Sequence, residues 1–118
     1  MDVAQRYVDA FNAGDIEGLR RLMAPSYRYT DRYAGGTIGS AEHLAVIGAV
    51  LERMPDRRII VDRILSSGDT CVVVGTWTAT PVGADRLLGT HLIIVMDVVD
   101  ELVSDATAYY REAELAEA

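Results

Sequence analysis

Two side chains that could carry out acid–base chemistry, Asp31 and Tyr7, lie on faces that the sequence pattern predicts to be apolar. Residues 26–33 are predicted to form a strand, because aromatic or acidic side chains alternate there with arginine or threonine. This alternation places Asp31 on the same face as Tyr27 and Tyr29. Tyr7 lies on the apolar stripe of the first predicted helix. A carboxylate can move a proton and a phenol can donate a hydrogen bond, so both residue types suit a reactive pocket.

The other reactive side chains do not form a metal, phosphate or disulfide site. His43 and His91 are far apart in sequence and do not make a helical His-x-x-x-His pair. We expect His43 to be either a solvated residue or a residue of the first turn of a helix, and His91 to face away from the pocket. Cys71 is the only cysteine and lies in an apolar segment, which predicts a buried thiol. Loop 34–39 is rich in glycine but lacks the Lys-Ser/Thr pair of a phosphate loop. We therefore expect neither a metal nor a cofactor.

Three amphipathic helices are predicted, and the first of them carries Tyr7. The first ends at Gly14, which can adopt the left-handed conformation, and Asp15 can cap the start of the second. Pro25 prevents the second helix from continuing, Ser40 is predicted to cap the third, and Pro55 marks its end. The residues predicted to face inward are Ala4, Tyr7, Val8 and Phe11, then Ile16, Leu19, Leu22 and Met23, then Leu44, Ile47, Leu51 and Met54.

A meander of antiparallel strands is predicted after the third helix, because the apolar period there changes from helical to alternating. The predicted strands are residues 57–66, 70–80, 87–98 and 102–110. The tail, 111–118, is expected to be frayed or weakly helical. A chain of 118 residues without a linker or repeat predicts one α+β domain over residues 1–118.

Composition argues against nucleic-acid and membrane partners. The formal net charge is −7 and the pI is near 4.6, and no basic stripe could neutralise phosphates. The longest apolar run, residues 92–96, is far shorter than the ~20 residues of a membrane span. The first residues lack the basic and apolar pattern of a signal peptide. We therefore expect a cytoplasmic protein.

The strand predicted at residues 87–98 indicates self-association. Positions of both parities are apolar between residues 87 and 96, whereas a strand with one wet face alternates. Three short helices can cover only one face of the sheet. We therefore expect a homodimer through the other face.

Residues 5–15, with the sequence QRYVDAFNAGD, resemble the opening of bacterial ketosteroid isomerases. The order of elements resembles the nuclear transport factor 2-like (SnoaL-like) superfamily. This resemblance implies an α+β, cone-shaped fold, with three N-terminal helices packed in the concave face of a curved, mostly antiparallel sheet. It also implies a cofactor-independent proton-transfer isomerase for a small hydrophobic carbonyl compound such as a steroid or polyketide. In that isomerase Asp31 would be the base and Tyr7 an oxyanion donor.

Two positions depart from the isomerase pattern. The isomerases use a protonated aspartic acid before a histidine as the second oxyanion donor, and aligning that histidine with His91 leaves Thr90 in the donor position. Their base is normally followed by proline, whereas Arg32 follows Asp31 here, and alternation points Arg32 away from the carboxylate. The residues expected to line the substrate pocket are Tyr29, Phe11, Leu92 and Trp77, with Trp77 either a wall of the pocket or part of the dimer packing.

Other activities of the same fold give weaker or open alternatives. Related epoxide hydrolases use an arginine and two aspartates where this chain has Gly75, Trp77 and Ala108, which disfavours that activity. SnoaL-like polyketide cyclases place an aspartate near the end of the last strand, at Ala108, and Asp105 would face the other way. Cyclase or dehydratase activity stays an alternative. Non-catalytic binding of a hydrophobic ligand or a partner domain is another. Asp31 would then only bind amides of the following loop, such as those of Gly35 or Gly36.

Overall fold

The computed structural model describes residues 2–111 and the backbone of residues 114–115. Three helices pack against one mostly antiparallel sheet, so the expected α+β architecture is confirmed. The helices are α1 (Val3–Ala13), α2 (Ile16–Leu22) and α3 (Ser40–Arg53). The strands are β1 (Met23–Asp31), β2 (Thr37–Gly39), β3 (Arg58–Ser67), β4 (Thr70–Ala79), β5 (Leu88–Val99), β6 (Leu102–Tyr109) and β7 (Glu114–Leu115).

The sheet brings the end of β1 beside the end of β6. Its strand order is β2-β1-β6-β5-β4-β3, and β7 pairs with β5. β1 and β6 run parallel, whereas the other pairs are antiparallel. In the parallel pair Asp31 lies opposite Ala108. Residues that are far apart in the sequence therefore meet at one end of the sheet.

The helix ends follow the expected capping chemistry, with one exception. Gly14 has φ of +68° and ends α1, and the Asp15 carboxylate accepts a hydrogen bond from the Gly18 amide at 2.8 Å. Ser40 is the first helical residue of α3, so its assignment as the cap was wrong. The chain passes directly from β2 into α3, and Gly39 occupies the cap position without a side-chain hydrogen bond. None of the helices in residues 2–111 has the length and apolar character needed to span a membrane.

The strand bounds differ from expectation mainly around β1. Met23 begins β1 instead of ending α2. Pro25 lies within β1, at a place where the pairing of β1 with β6 shifts register, so no ladder hydrogen bond requires the amide hydrogen that proline lacks. Part of the glycine loop forms β2, which pairs with residues 28–30. β3 to β6 begin and end within one residue of expectation. Residues 114–115 form a strand and not a helical tail, and the rest of the tail beyond residue 111 lies outside the described residues.

The helices cover one face of the sheet and leave side chains on the other face exposed. Leu92, Ile94 and Met96 of β5 are buried in the core that the helices cover. On the opposite face Ile93 is 42% exposed and its β6 neighbour Tyr109 is 46% exposed. The chain by itself therefore leaves an apolar sheet face open to solvent.

Two polar side chains dock the end of α1 onto β3. The Asn12 amide donates to the Ile59 carbonyl at 2.9 Å and accepts from the Ile59 amide at 2.7 Å, as a neighbouring strand would. The buried Arg57 guanidinium donates to the Phe11 carbonyl at the C-terminus of α1 and lies 5.1 Å over the Phe11 ring. The Asn-Ala-Gly-Asp turn thus orients the helix that carries Tyr7.

We expect Asn12→Ala to lower the free energy of unfolding by about 1–3 kcal/mol, because both backbone groups of Ile59 lose their partner. Urea denaturation followed by circular dichroism measures the change. Arg6→Ala, at an exposed position of the same helix, is the matched control and should stay within about 0.5 kcal/mol of the original chain. Equal stability of the two variants would contradict this account of the docking.

Candidate functional site

A cavity of about 350 Å³ lies between the helices and the covered face of the sheet. Its lining is mostly apolar and aromatic, and α3 contributes Val46, Ile47 and Val50 to one wall. The seven residues singled out from the sequence all line it: Asp31, Tyr7, Thr90, Tyr29, Phe11, Leu92 and Trp77. Asp31 is the only carboxylate among the described lining residues. Their shared location makes this cavity the candidate site, while their roles stay a prediction.

Asp31 uses its two carboxylate oxygens differently. Oδ1 accepts hydrogen bonds from the amides of Tyr33 at 2.9 Å and Ala34 at 2.8 Å. Oδ2 accepts from the hydroxyl of Tyr110 at 2.6 Å and from that of Tyr29 at 3.3 Å. Oδ1 binds amides of the turn after β1, as the structural alternative expected, although these are the amides of Tyr33 and Ala34 and not those of Gly35 or Gly36. Oδ2 binds the tyrosine hydroxyls on the cavity wall.

Tyr110 was not singled out from the sequence, although a signal existed. Ala106 and Ala108 are buried on the covered face, and continued alternation places Tyr110 there as well. Burial, together with the neighbouring Asp31, raises the pKa values of both Tyr110 and Tyr29. Both phenols therefore stay protonated at neutral pH and can donate to the carboxylate.

Another part of the site is a hydrogen-bonded series of three groups. The Tyr7 and Tyr27 hydroxyl oxygens are 2.8 Å apart, and the Tyr27 hydroxyl is 2.8 Å from His43 Nδ1. All three side chains are buried. Burial raises the pKa of Tyr7 to about 12, so this residue is a neutral donor or acceptor at physiological pH.

His43 lies in the first turn of α3, as one alternative expected, but it is only 6% exposed, so the alternative of a solvated residue was wrong. Its position in α3 precedes Ile47 by one helical turn, and both residues therefore face the sheet. The imidazole stacks on the Tyr29 ring with centroids 3.8 Å apart. Burial lowers the His43 pKa to about 4, partly offset by the nearby Asp31 charge. The imidazole is neutral at pH 7.

Thr90 lies on the cavity wall but already has a partner for its hydroxyl proton. Its Oγ1 is 3.1 Å from the carbonyl oxygen of Arg111 and can donate to it. Across the sheet Thr90 pairs with Trp77, whose ring forms part of the same wall. A role for Thr90 as a second oxyanion donor stays a prediction. It would require the Thr90 hydroxyl to leave the Arg111 carbonyl and donate to the ligand instead. His91 is exposed, as its parity predicts.

The positions used by the other activities do not supply acids here. A Cβ at Gly75 would lie 2.3 Å from the Ile60 carbonyl oxygen, so the backbone of β3 occupies the space of a side chain. Ala108 lines the cavity, whereas Asp105 is exposed on the other face opposite Asp97. Within residues 2–111 no group of three His, Cys, Asp or Glu side chains could hold a metal ion.

Because His43 is buried as a neutral imidazole, the free energy of unfolding should fall as the pH becomes mildly acidic. The His43 pKa is about 4 in the folded chain and 6.5 ordinarily. Between pH 4 and pH 6.5 the unfolded chain therefore binds more protons than the folded chain does. We expect this to remove about 3 kcal/mol of unfolding free energy as the pH falls from 7 to 4. His43→Gln should lose this contribution, and His91→Gln should keep it. Urea denaturation at several pH values tests it; identical pH dependence in the original chain and His43→Gln would contradict it.

Solved structures share this fold at low sequence identity. A hypothetical protein with a ketosteroid isomerase-like fold from Catenulispora acidiphila, in complex with trimethylamine, has a TM-score of 0.85 and 14% identity over 92% of this chain and 85% of that one. IdmH, a candidate polyketide cyclase from Streptomyces antibioticus, has a TM-score of 0.82 and 21% identity over 92% and 88%. An NTF2-like protein of unknown function from Burkholderia pseudomallei has a TM-score of 0.80 and 25% identity over 92% and 87%.

These likenesses confirm the cone-shaped, nuclear transport factor 2-like fold. No curated protein matches the sequence at a significant level. The family model described as a SnoaL-like domain matches residues 4–106, which include the helices, β1 to β5 and most of the cavity wall. The chain therefore belongs to the SnoaL-like domain family.

Proposed function

We propose that this protein is a cofactor-independent isomerase that moves a proton within a small hydrophobic carbonyl compound. Asp31 is the base, and Tyr7 donates a hydrogen bond to the carbonyl oxygen. The observation that carries the proposal is the placement of Asp31 and Tyr7 on the wall of one mostly apolar cavity in which Asp31 is the only described carboxylate. A proton-transfer enzyme of this kind needs both residue types around one bound molecule.

The proton moves from one carbon to another through Asp31. The carboxylate removes a proton from the carbon next to the carbonyl, which leaves a dienolate, and then returns the proton further along the conjugated system. The amides of Tyr33 and Ala34 hold Oδ1 in place throughout. Tyr110 and Tyr29 limit rotation of the carboxylate at Oδ2. This fixed orientation keeps the base close to both carbons, which is the geometric requirement of a shuttle.

The cavity favours a flat, apolar substrate with one carbonyl group. Its volume of about 350 Å³ lies at the lower end of the usual range for small-molecule sites. Aromatic side chains form much of its wall, including Phe11, Tyr29 and Trp77. Fused rings such as those of a steroid or a cyclised polyketide would pack against these faces.

We expect Asp31→Asn to lower turnover of a β,γ-unsaturated ketosteroid by about 10²–10⁴-fold, because the amide cannot accept the proton. Formation of the conjugated ketone is followed by its ultraviolet absorbance. Ligand binding is followed by the fluorescence of Trp77, which lines the cavity and is the only tryptophan of the chain. Binding should survive the substitution.

Asp105→Asn is the matched control, since Asp105 is exposed on the other side of the sheet. Its turnover should equal that of the original chain. Turnover that survives in Asp31→Asn would show that another group is the base. Ligand binding without turnover in the original chain would favour a binding module.

Cyclase or dehydratase activity is the second candidate. It is supported by the family description and by the fold of the candidate polyketide cyclase IdmH. A cyclase would also need a base that removes a proton next to a carbonyl, and Asp31 is suitably placed. Ring closure of a linear poly-β-ketone analogue, with no isomerisation of the ketosteroid, would favour this candidate.

We also propose that two copies associate through the open sheet face defined by Ile60, Leu65, Ile93 and Tyr109, each 42–49% exposed. Ile93→Asp should therefore give a monomer in analytical ultracentrifugation, since a charge would be buried at the centre of the contact. Val82→Asp, at a 71% exposed position outside the strands, should stay dimeric. A monomeric original chain would refute the proposal.

A further inference from the structure

The two hydrogen bonds among Tyr7, Tyr27 and His43 must run in the same direction along the series, because Tyr27 is the middle group and has only one proton to donate. A neutral imidazole carries one N–H, and each phenol carries one O–H. The two hydrogen bonds of the series use two of these three protons, since both contacts are 2.8 Å long. Tyr27 is 2% exposed, and within residues 2–111 its hydroxyl has no third hydrogen-bond partner. The series therefore has two fully paired arrangements.

In the first arrangement His43 Nδ1 carries the proton and donates to Tyr27, and Tyr27 donates to Tyr7. The Tyr7 proton is then free to bond an oxygen in the cavity. In the second arrangement Nδ1 is unprotonated and accepts from Tyr27, so Tyr27 accepts from Tyr7. The Tyr7 proton is then occupied, and Tyr7 offers the cavity only a lone pair. Any other arrangement leaves a buried hydroxyl unpaired, at a cost to the folded chain.

We propose that His43 is a positioning residue whose tautomer decides whether Tyr7 offers a proton or a lone pair to a ligand in the cavity. The proposal rests on the proposed function in one respect, because it takes Tyr7 as the group that meets the ligand oxygen. A ligand with an oxyanion or carbonyl selects the form with Nδ1 protonated. A ligand that donates a hydrogen bond to Tyr7 selects the other form.

The surroundings of His43 keep both tautomers neutral and fixed in place. Tyr29 stacks on one face at 3.8 Å, and the Tyr27 ring lies parallel at 5.8 Å. Burial lowers the His43 pKa to about 4. The charge of Asp31 acts in the opposite direction, but its effect is smaller than that of burial. The ring therefore chooses between two neutral forms at pH 7 and does not become a cation.

The tautomer can be read directly by nuclear magnetic resonance of ¹⁵N-histidine-labelled protein, because protonated and unprotonated ring nitrogens differ strongly in chemical shift. The chain has two histidines, and His91→Gln assigns the signals. The probe is 4-nitrophenolate bound to Asp31→Asn, which removes the negative charge that would repel the probe. Nitrobenzene is the control ligand of similar shape without an oxyanion.

We expect His43 Nδ1 to carry the proton in the nitrophenolate complex, with a ratio of the two tautomers at least about tenfold higher than in the nitrobenzene complex. Adding Tyr27→Phe should abolish this difference, because the series is interrupted. Adding Tyr7→Phe should also abolish it and leaves the Tyr27–His43 hydrogen bond intact, which provides a test if Tyr27→Phe does not fold.

An unprotonated Nδ1 in the nitrophenolate complex would overturn the proposal. So would the same tautomer ratio with both ligands, since a purely structural histidine would not respond to the oxyanion. Failure of nitrophenolate to bind would overturn it as well. These readouts need no turnover, so an absence of isomerase activity would count against the proposed reaction and leave the tautomer result standing.

Discussion

Polar groups on an apolar cavity have to be paired, and this requirement governs the arrangement of the whole site. An unpaired polar group moved out of water costs roughly 2–7 kcal/mol. Asp31 meets the requirement with four donors, the amides of Tyr33 and Ala34 and the hydroxyls of Tyr29 and Tyr110. These donors come from β1, from the turn after it and from the chain just beyond β6. The carboxylate thus joins three segments while it faces the cavity.

The same requirement produces a second, neutral group of paired side chains in the site. Tyr7 from α1, Tyr27 from β1 and His43 from α3 satisfy one another by hydrogen bonds. Burial keeps the imidazole uncharged and the phenols protonated at neutral pH. Tyr29 joins the two groups, because its hydroxyl donates to Asp31 and its ring stacks on His43. A bound molecule would therefore meet neutral hydrogen-bonding groups and a carboxylate in the same cavity, which suits a reaction in which a proton leaves carbon and an oxyanion forms.

Sequence periodicity predicted the residues whose neighbours are local and missed those whose partners are distant. Alternation along β1 placed Asp31 and Tyr29 on one face, and helical spacing placed Tyr7 inward, because both patterns depend only on backbone geometry. His43 precedes the apolar stripe of α3, and a polar residue there has the same local pattern whether it is solvated or buried. Its burial depends on a partner, Tyr27, that α3 meets only in the folded chain. For Tyr110, alternation along β6 gave the face, whereas its hydrogen bond to Asp31 of β1 depends on the folded chain.

The sequence by itself determined the order of the three helices and the long strands, the end of α1, the start of α2, and the faces that carry Asp31 and Tyr7. Gly14 and Asp15 act within one turn of backbone, so no distant contact was needed to read them. Only the tertiary structure decided which polar groups pair across the cavity, because the parallel contact of β1 with β6 joins residues far apart in the chain. Asp31 could thus be recognised as a candidate from sequence, whereas the hydroxyls and amides that orient it became visible only in the fold.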